Sequence, residues 1–257
     1  TDRGRVFQTK AYEIPETSRV ARGQAIVNLL ELAPKEEVNA LVALKENLKN
    51  RKKGEVKVTS ANGDENYLVM ATKDGIIKKT QIEDFANVRR SGLIAIKLGK
   101  NDFLRWVKPS SGNDEIILVT ANGQSVRFKE KDARPMGRAA GGVRGLRLKK
   151  GDEVISMNMI KAFAFAKAMA DKKNLTQELL VVTENGFAKQ TPLKEYKTQS
   201  RGGSGIKTAK INAKTGKMIA AQIITDEEEL LALSSKGQII KTAIKSVRTA
   251  GRATSGV

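Results

Sequence analysis

Four apolar runs, NYLVMA, EIILV, ELLVV and ELLAL, stand directly before polar tetrapeptides ending in glycine: TKDG at Gly75, TANG at Gly123, TENG at Gly186 and SSKG at Gly237. A fifth tetrapeptide, TDRG at Gly4, opens the chain, where its apolar run would lie upstream. Asn-Gly and Asp-Gly between such runs predict hairpins, because a type I′ turn needs positive φ values that Gly and Asn reach cheaply. Each unit is therefore expected to open with a β-hairpin.

A second glycine follows in every unit, at Gly23, Gly92, Gly142, Gly205 and Gly256, spaced 19, 17, 19, 19 and 19 residues from the first. So constant a spacing marks a structural repeat rather than a compositional echo. Strand-like segments come next (AIVNLLEL, LIAIKL, VRGLRL, IKTAKI), and then further apolar stretches (VNALVAL, FLRWVKP, EVISMNMI, MIAAQII). About four strands per unit is the count of a propeller blade, so the expected fold is all-β and propeller-like. The five visible repeats run over about 1–44, 66–110, 115–160, 178–224 and 229–257, within a single domain spanning 1–257. Two insertions separate them. Residues 45–65 are polar, basic and turn-rich and read as an exposed loop or extra hairpin, while the alanine-rich 161–177 predicts a short helix.

Composition then narrows the partner. The 257 residues carry 47 Lys+Arg against 28 Asp+Glu, a formal +19 with no histidine to modulate it. An excess of this size on a folded chain points to a polyanion, with nucleic acid foremost. No run of about 18 apolar residues is present, so a membrane span is not expected. The opening residues TDRGRVFQTK lack the apolar core of a signal peptide. The absence of cysteine removes disulfides, thiolate nucleophiles and Cys-based zinc sites, and fits a reducing cytoplasm.

The basic residues recur in register with the repeat. Four residues before the second glycine stand Arg19, Arg138, Arg201 and Arg252; the second unit has Val88 there and moves its charge to Arg89 and Arg90. Five residues after that glycine stand Lys97, Arg147 and Lys210, with Asn28 in the first unit. Four residues after the first glycine stand Lys79, Arg127 and Lys241, with Gln8 and Gln190 in the other two units. Arg22, Arg144 and Lys207 adjoin the same glycines. Equivalent positions of successive blades face the same way, so these residues predict a basic belt. For any one arginine, bracing a turn by bonding backbone carbonyls is the equally good alternative. Aromatic residues at 4% are too few for a base-stacking platform, which leaves phosphate contact along a duplex.

Catalysis is not expected. The glycine-rich QSRGGSGIKT, Gln199 to Thr208, fails as a phosphate loop of a nucleotide enzyme, because Ile206 displaces Lys207 and Thr208 by one residue and strands flank it. Without His or Cys, the usual triads and zinc-hydrolase sites are unavailable. The acidic DEEE, 226–229, could bind Mg²⁺ in principle but lies between units and reads as solvated linker charge.

RGRVFQTKAYEIPETSRVARGQAIVNLLEL, EIILVTANGQSVRFKEKDARPMGRAAGGVRGLRLKKGDEV and the terminal VRTAGRATSGV resemble the repeats of the DNA gyrase A C-terminal domain, from a type IIA topoisomerase; the likeness spares only the two insertions. The C-terminal domain of the topoisomerase IV A protein, with similar repeats, is the close alternative, and a basic protein-binding propeller scaffold is a third reading. The resemblance implies a β-pinwheel, six-bladed in the family, in which neighbouring blades exchange strands. It implies double-stranded DNA as partner, wrapped to support ATP-dependent negative supercoiling. It also implies an A2B2 assembly with the N-terminal region of gyrase A and with gyrase B, in the bacterial cytoplasm at the nucleoid. ATP and Mg²⁺ would serve that assembly, with no cofactor in this domain. The family's signature heptapeptide reads Gln, basic, Arg, Gly, Gly, basic, Gly. Gln199, Arg201, Gly202, Gly203 and Gly205 match it, while Ser200 and Ser204 replace both variable basic residues. The box itself and a sixth repeat are expected outside this sequence. The family's catalytic tyrosine lies in another region, so Tyr12, Tyr67 and Tyr196 do not inherit that role.

Overall fold

A computed structural model describes residues 1–18, 20–46, 58–60, 66–161, 177–225, 227 and 229–257. Its strands, in chain order, are β1 (Arg5–Val6), β2 (Leu44–Glu46), β3 (Val58–Ser60), β4 (Tyr67–Thr72), β5 (Ile76–Gln81), β6 (Leu93–Ile94), β7 (Leu104–Ser110), β8 (Glu115–Thr120) and β9 (Gln124–Lys129). There follow β10 (Val143–Arg144), β11 (Val154–Ile160), β12 (Glu178–Thr183), β13 (Ala188–Pro192), β14 (Ile206–Lys207), β15 (Met218–Ile224), β16 (Glu229–Leu233) and β17 (Ile239–Ala243). The only helical elements among the described residues are short 3-10 turns, so the protein is all-β. The chain divides into two compact units, 1–112 with 133–143, and 113–132 with 144–257.

In the first unit, β4 and β5 form the hairpin around Gly75, and β7 pairs antiparallel on the other side of β4. β10 joins the free side of β5, giving the order β10-β5-β4-β7. The second unit repeats this plan in the order β11-β8-β9-β14, followed by β13-β12-β15 and the hairpin β16-β17. The central strands β4 and β8 are buried on both faces, which is why they read as continuous apolar runs instead of alternating. Bulges interrupt the outer ladders at Ala71/Thr72, Val154/Ser156 and Val182/Thr183, each just before the hairpin turn.

In three of the sheets an edge strand comes from the following repeat. β6 of the second repeat pairs with β1 of the first, and β14 of the fourth with β9 of the third. Val257 of the fifth exchanges two backbone hydrogen bonds with Ala188 of the fourth. This is the strand exchange of a pinwheel. Glycine permits it at the second conserved position. Gly205 has φ +74°, and a Cβ there would lie 2.5 Å from the Ser125 carbonyl oxygen, so neither the turn nor the approach tolerates a side chain.

In the first unit Leu68, Met70, Ile82, Phe85, Ile96 and Leu104 form the core. In the second, Ile117, Val119, Leu179, Val181, Tyr196 and Met218 do so. Two buried polar side chains cross between sheets there: Ser156 Oγ and Asn158 Nδ2 both donate to the Ala221 carbonyl, at 2.5 and 3.0 Å.

Three expectations change. AIVNLLEL is not a strand: it holds the 3-10 turn Ile26–Asn28, and among the described residues no hairpin strand lies against it. The equivalent segments are strands for only two residues each, because the neighbouring hairpin alone holds them extended. VNALVAL becomes strand only at its last residue, Leu44, where β2 pairs with β3. The helix expected over 161–177 falls on 162–176, outside the described residues, as do 47–57 and 61–65 of the other insertion.

Candidate nucleic-acid interface

The turn that ends at the second glycine is the organising feature. Five residues after Gly92, Gly142 and Gly205, a backbone N–H donates to the next repeat's turn. Lys97 donates to Ala140 O at 3.2 Å in the first unit, and Arg147 to Gly203 O at 2.8 Å and Lys210 to Thr254 O at 3.0 Å in the second. The three acceptors sit two residues before Gly142, Gly205 and Gly256, so the same bond recurs at each step. It fixes the backbone under Lys97, Arg147 and Lys210, whose side chains are exposed. Arg144 and Lys207, in the two-residue edge strands beside them, are exposed too.

The arginines four residues before the second glycine do a different job. Arg201 Nη1 donates to the Arg144 carbonyl at 2.5 Å and its Nε to the Asp132 carbonyl at 3.1 Å. Arg252 Nη1 donates to the Lys207 carbonyl at 3.1 Å. Both therefore bind the edge strand of the preceding repeat. Arg138 is half-buried, and Arg19 lies outside the described residues.

Two residues expected on the belt are turned inward. Lys79 is buried, with its ammonium 5.1 Å from the Tyr67 ring centroid. Arg127 pairs with Glu115 at 2.5 Å and donates from Nη1 to the Leu193 and Tyr196 carbonyls at 3.1 Å. In the next repeat Gln190 Nε2 makes the same contacts, to Ile244 and Val247, at 2.7 and 2.6 Å. At Arg127 and Gln190 this position thus has a structural role: a donor long enough to close the neighbour's 3-10 turn. Lys241 is exposed and paired with Glu229 at 2.7 Å. Arg22, Arg89 and Arg90 are exposed, the last 3.9 Å from Glu31.

The box-like turn is held by its backbone. Gln199 N–H donates to Arg127 O at 2.7 Å and Gly202 N–H to Gly145 O at 2.8 Å, so these amides are engaged within the protein. Ser200, Gly203 and Ser204 are exposed.

Sequence reasoning missed two buried lysines. Three residues after the first glycine, where other repeats carry Phe7, Val126 and Ile240, stand Lys78 and Lys189. Lys78 Nζ donates to Ala95 O at 2.6 Å and, over a shorter distance, to Arg138 O. Lys189 Nζ donates to Gly251 O at 2.7 Å, Arg252 O at 2.8 Å and Thr254 Oγ1 at 3.2 Å. Each lysine thereby ties down the following repeat's turn. Burial pushes both ammonium groups down to about 8. The available signal was a lysine at an inward position whose equivalents are apolar.

Within each unit the exposed cations thus stand on hydrogen-bonded turn backbone, where they can contact phosphate oxygens. The family model described as "DNA gyrase C-terminal domain, beta-propeller" matches residues 1–45, 66–111, 114–161, 177–225 and 228–257. The DNA gyrase A protein of Mycolicibacterium smegmatis (strain ATCC 700084 / mc(2)155) is 40% identical over 259 residues, covering 100% of this chain and 27% of its own length. That of Staphylococcus epidermidis (strain ATCC 12228 / FDA PCI 1200) is 37% identical over 257 residues, covering 100% and 26%. The chain thus spans about a quarter of the length of these curated relatives. Among solved structures, the C-terminal domain of DNA topoisomerase IV is similar with a TM-score of 0.80 and 23% identity, covering 100% of this chain and 72% of that one. The DNA gyrase A C-terminal domain follows with a TM-score of 0.73 and 23% identity, covering 100% and 74%. These two likenesses bear on the fold.

Proposed function

We propose, from the premise that this chain belongs to the DNA gyrase C-terminal domain family, that it binds, bends and wraps duplex DNA without reading its sequence. The observation that carries this reading is the recurrence of exposed cations at fixed positions after the second glycine, Lys97 in the first unit and Arg144, Arg147, Lys207 and Lys210 in the second. Their backbones are locked to the adjacent turns, so little ordering of the main chain accompanies binding. Bending 20 to 30 base pairs by 40 to 90° costs roughly 1 to 6 kcal/mol, which many phosphate contacts offset. Neutralising about ten phosphates gives a slope near −9 in log K against log salt.

The wrap serves negative supercoiling by an ATP-dependent type II topoisomerase. In this reading the chain is the non-catalytic part of gyrase A, joined to the N-terminal region and to gyrase B in an A2B2 enzyme of the bacterial cytoplasm, at the nucleoid. ATP and Mg²⁺ act elsewhere in that assembly. Relatives at 37 to 40% identity being gyrase A proteins favours this over the topoisomerase IV alternative. Fluorescence anisotropy with a duplex at several salt concentrations tests the binding step. A slope near zero would leave a protein-binding scaffold as the better account.

A further inference from the structure

The equivalent arginines at 138, 201 and 252 do not share one fate. Arg201 and Arg252 donate to carbonyls of the preceding edge strand. The Arg138 guanidinium has no hydrogen-bond or ion-pair partner among the described residues. It lines an open cleft of about 440 Å³ in the first unit, together with Arg89, Gln8, Asn87, Val88 and Leu93. Two arginines and two carboxamide residues thus line one cleft beside Val88 and Leu93, with no lining carboxylate.

Both guanidinium groups sit on anchored backbone. The Arg138 carbonyl accepts from the buried Lys78 ammonium, and the Arg89 carbonyl closes the turn by accepting the Gly92 N–H at 2.8 Å. The second repeat carries Val88 where four others carry arginine, and Val88 lines the cleft. A guanidinium presents a planar fork of donors that matches phosphate oxygens, and two of them around one opening select a tetrahedral anion.

We propose that this cleft is a phosphate seat, in which Arg89 and Arg138 clamp one phosphodiester group of a bound duplex while Gln8 and Asn87 donate beside it. The seat rests on the duplex-binding reading. It departs from the belt in one respect: both its arginines line a cleft, whereas Arg147 and Lys210 are exposed cations beside the edge strands. Free phosphate shares the same chemistry, so the test must separate the two sources.

The experiment follows the arginine Nε–H signals of the 257-residue chain by NMR during titration with a short duplex and, separately, with inorganic phosphate. The Arg89 and Arg138 signals should shift with duplex at concentrations where inorganic phosphate leaves them unmoved. In parallel, Arg89→Gln/Arg138→Gln should weaken duplex binding about tenfold and make the salt slope shallower by about one or two. Arg138→Lys, which keeps the charge but loses the fork, should retain the slope and weaken binding by less than the double variant does. Amide spectra matching the parent's away from the cleft establish that the variants fold. Parental affinity and slope in the double variant would overturn the seat and leave the belt standing. Shifts with inorganic phosphate and none with duplex would overturn the duplex as its occupant. A parent that binds no duplex at all would remove the proposed function itself.

Discussion

The Lys189 ammonium donates to the Arg252 carbonyl at 2.8 Å across 63 residues of sequence, so a buried cation in the fourth repeat holds the turn of the fifth. Lys78 holds the Arg138 carbonyl across 60 residues in the same way. The charge works from beneath the surface it supports.

Lys189→Met leaves the Gly251 and Arg252 carbonyls without this donor and should cost about 2 to 4 kcal/mol, read from urea unfolding. Its pH dependence has a definite sign. The folded ammonium titrates near 8 and the unfolded one near 10.5, so between these values the unfolded state binds more protons and stability rises with pH. Lys189→Met should flatten that rise.

Glu36 shows the opposite linkage. Arg5 holds its carboxyl down to about 2 from an ordinary 4.5, with Thr1 and the Ala33 amide also donating to it. The resulting stability, about 3 kcal/mol, is fully present above pH 4.5 and is lost as pH falls toward 2. Glu36→Gln should therefore lower the unfolding free energy at pH 7 and converge with the parent at about pH 2.

Gly205→Ala combines a left-handed backbone with a 2.5 Å approach to a carbonyl oxygen and should cost about 3 kcal/mol or more. Gly237→Ala has φ +78° with nothing within 4 Å, so strain alone applies, about 1 kcal/mol. Equal effects on denaturant midpoints would contradict the close strand exchange at Gly205.

Arg127→Ala and Arg147→Ala separate struts from belt. The first breaks the Glu115 pair and two carbonyl contacts, and should destabilise the chain by about 2 kcal/mol. The second removes an exposed charge, so stability should hold within about 0.5 kcal/mol while the duplex salt slope becomes shallower by about one. Thermal unfolding and anisotropy read the two effects independently.

Hairpins were legible because a glycine turn between apolar runs is a local signal, and β4, β8 and β12 lie where it points. The edge strands were not. Val143–Arg144 and Ile206–Lys207 are two residues long, too short for any period, and only the neighbouring repeat makes them strands. Recurrent charge was legible, but its direction was not: Lys78 and Lys79 differ by one position, and both are buried for different reasons. A count of basic residues cannot tell a donor that closes a carbonyl, such as Arg201, from one that meets solvent, such as Arg147.

Ligating nicked circular DNA in the presence of this chain, then measuring linking number after deproteination, tests the wrapping claim most directly. The parent should shift the distribution with one sign in proportion to bound protein, and Arg144→Ser/Arg147→Ser/Lys207→Ser/Lys210→Ser should abolish the shift while remaining folded. A parent distribution identical to that of protein-free DNA, at concentrations where anisotropy shows saturation, would contradict wrapping.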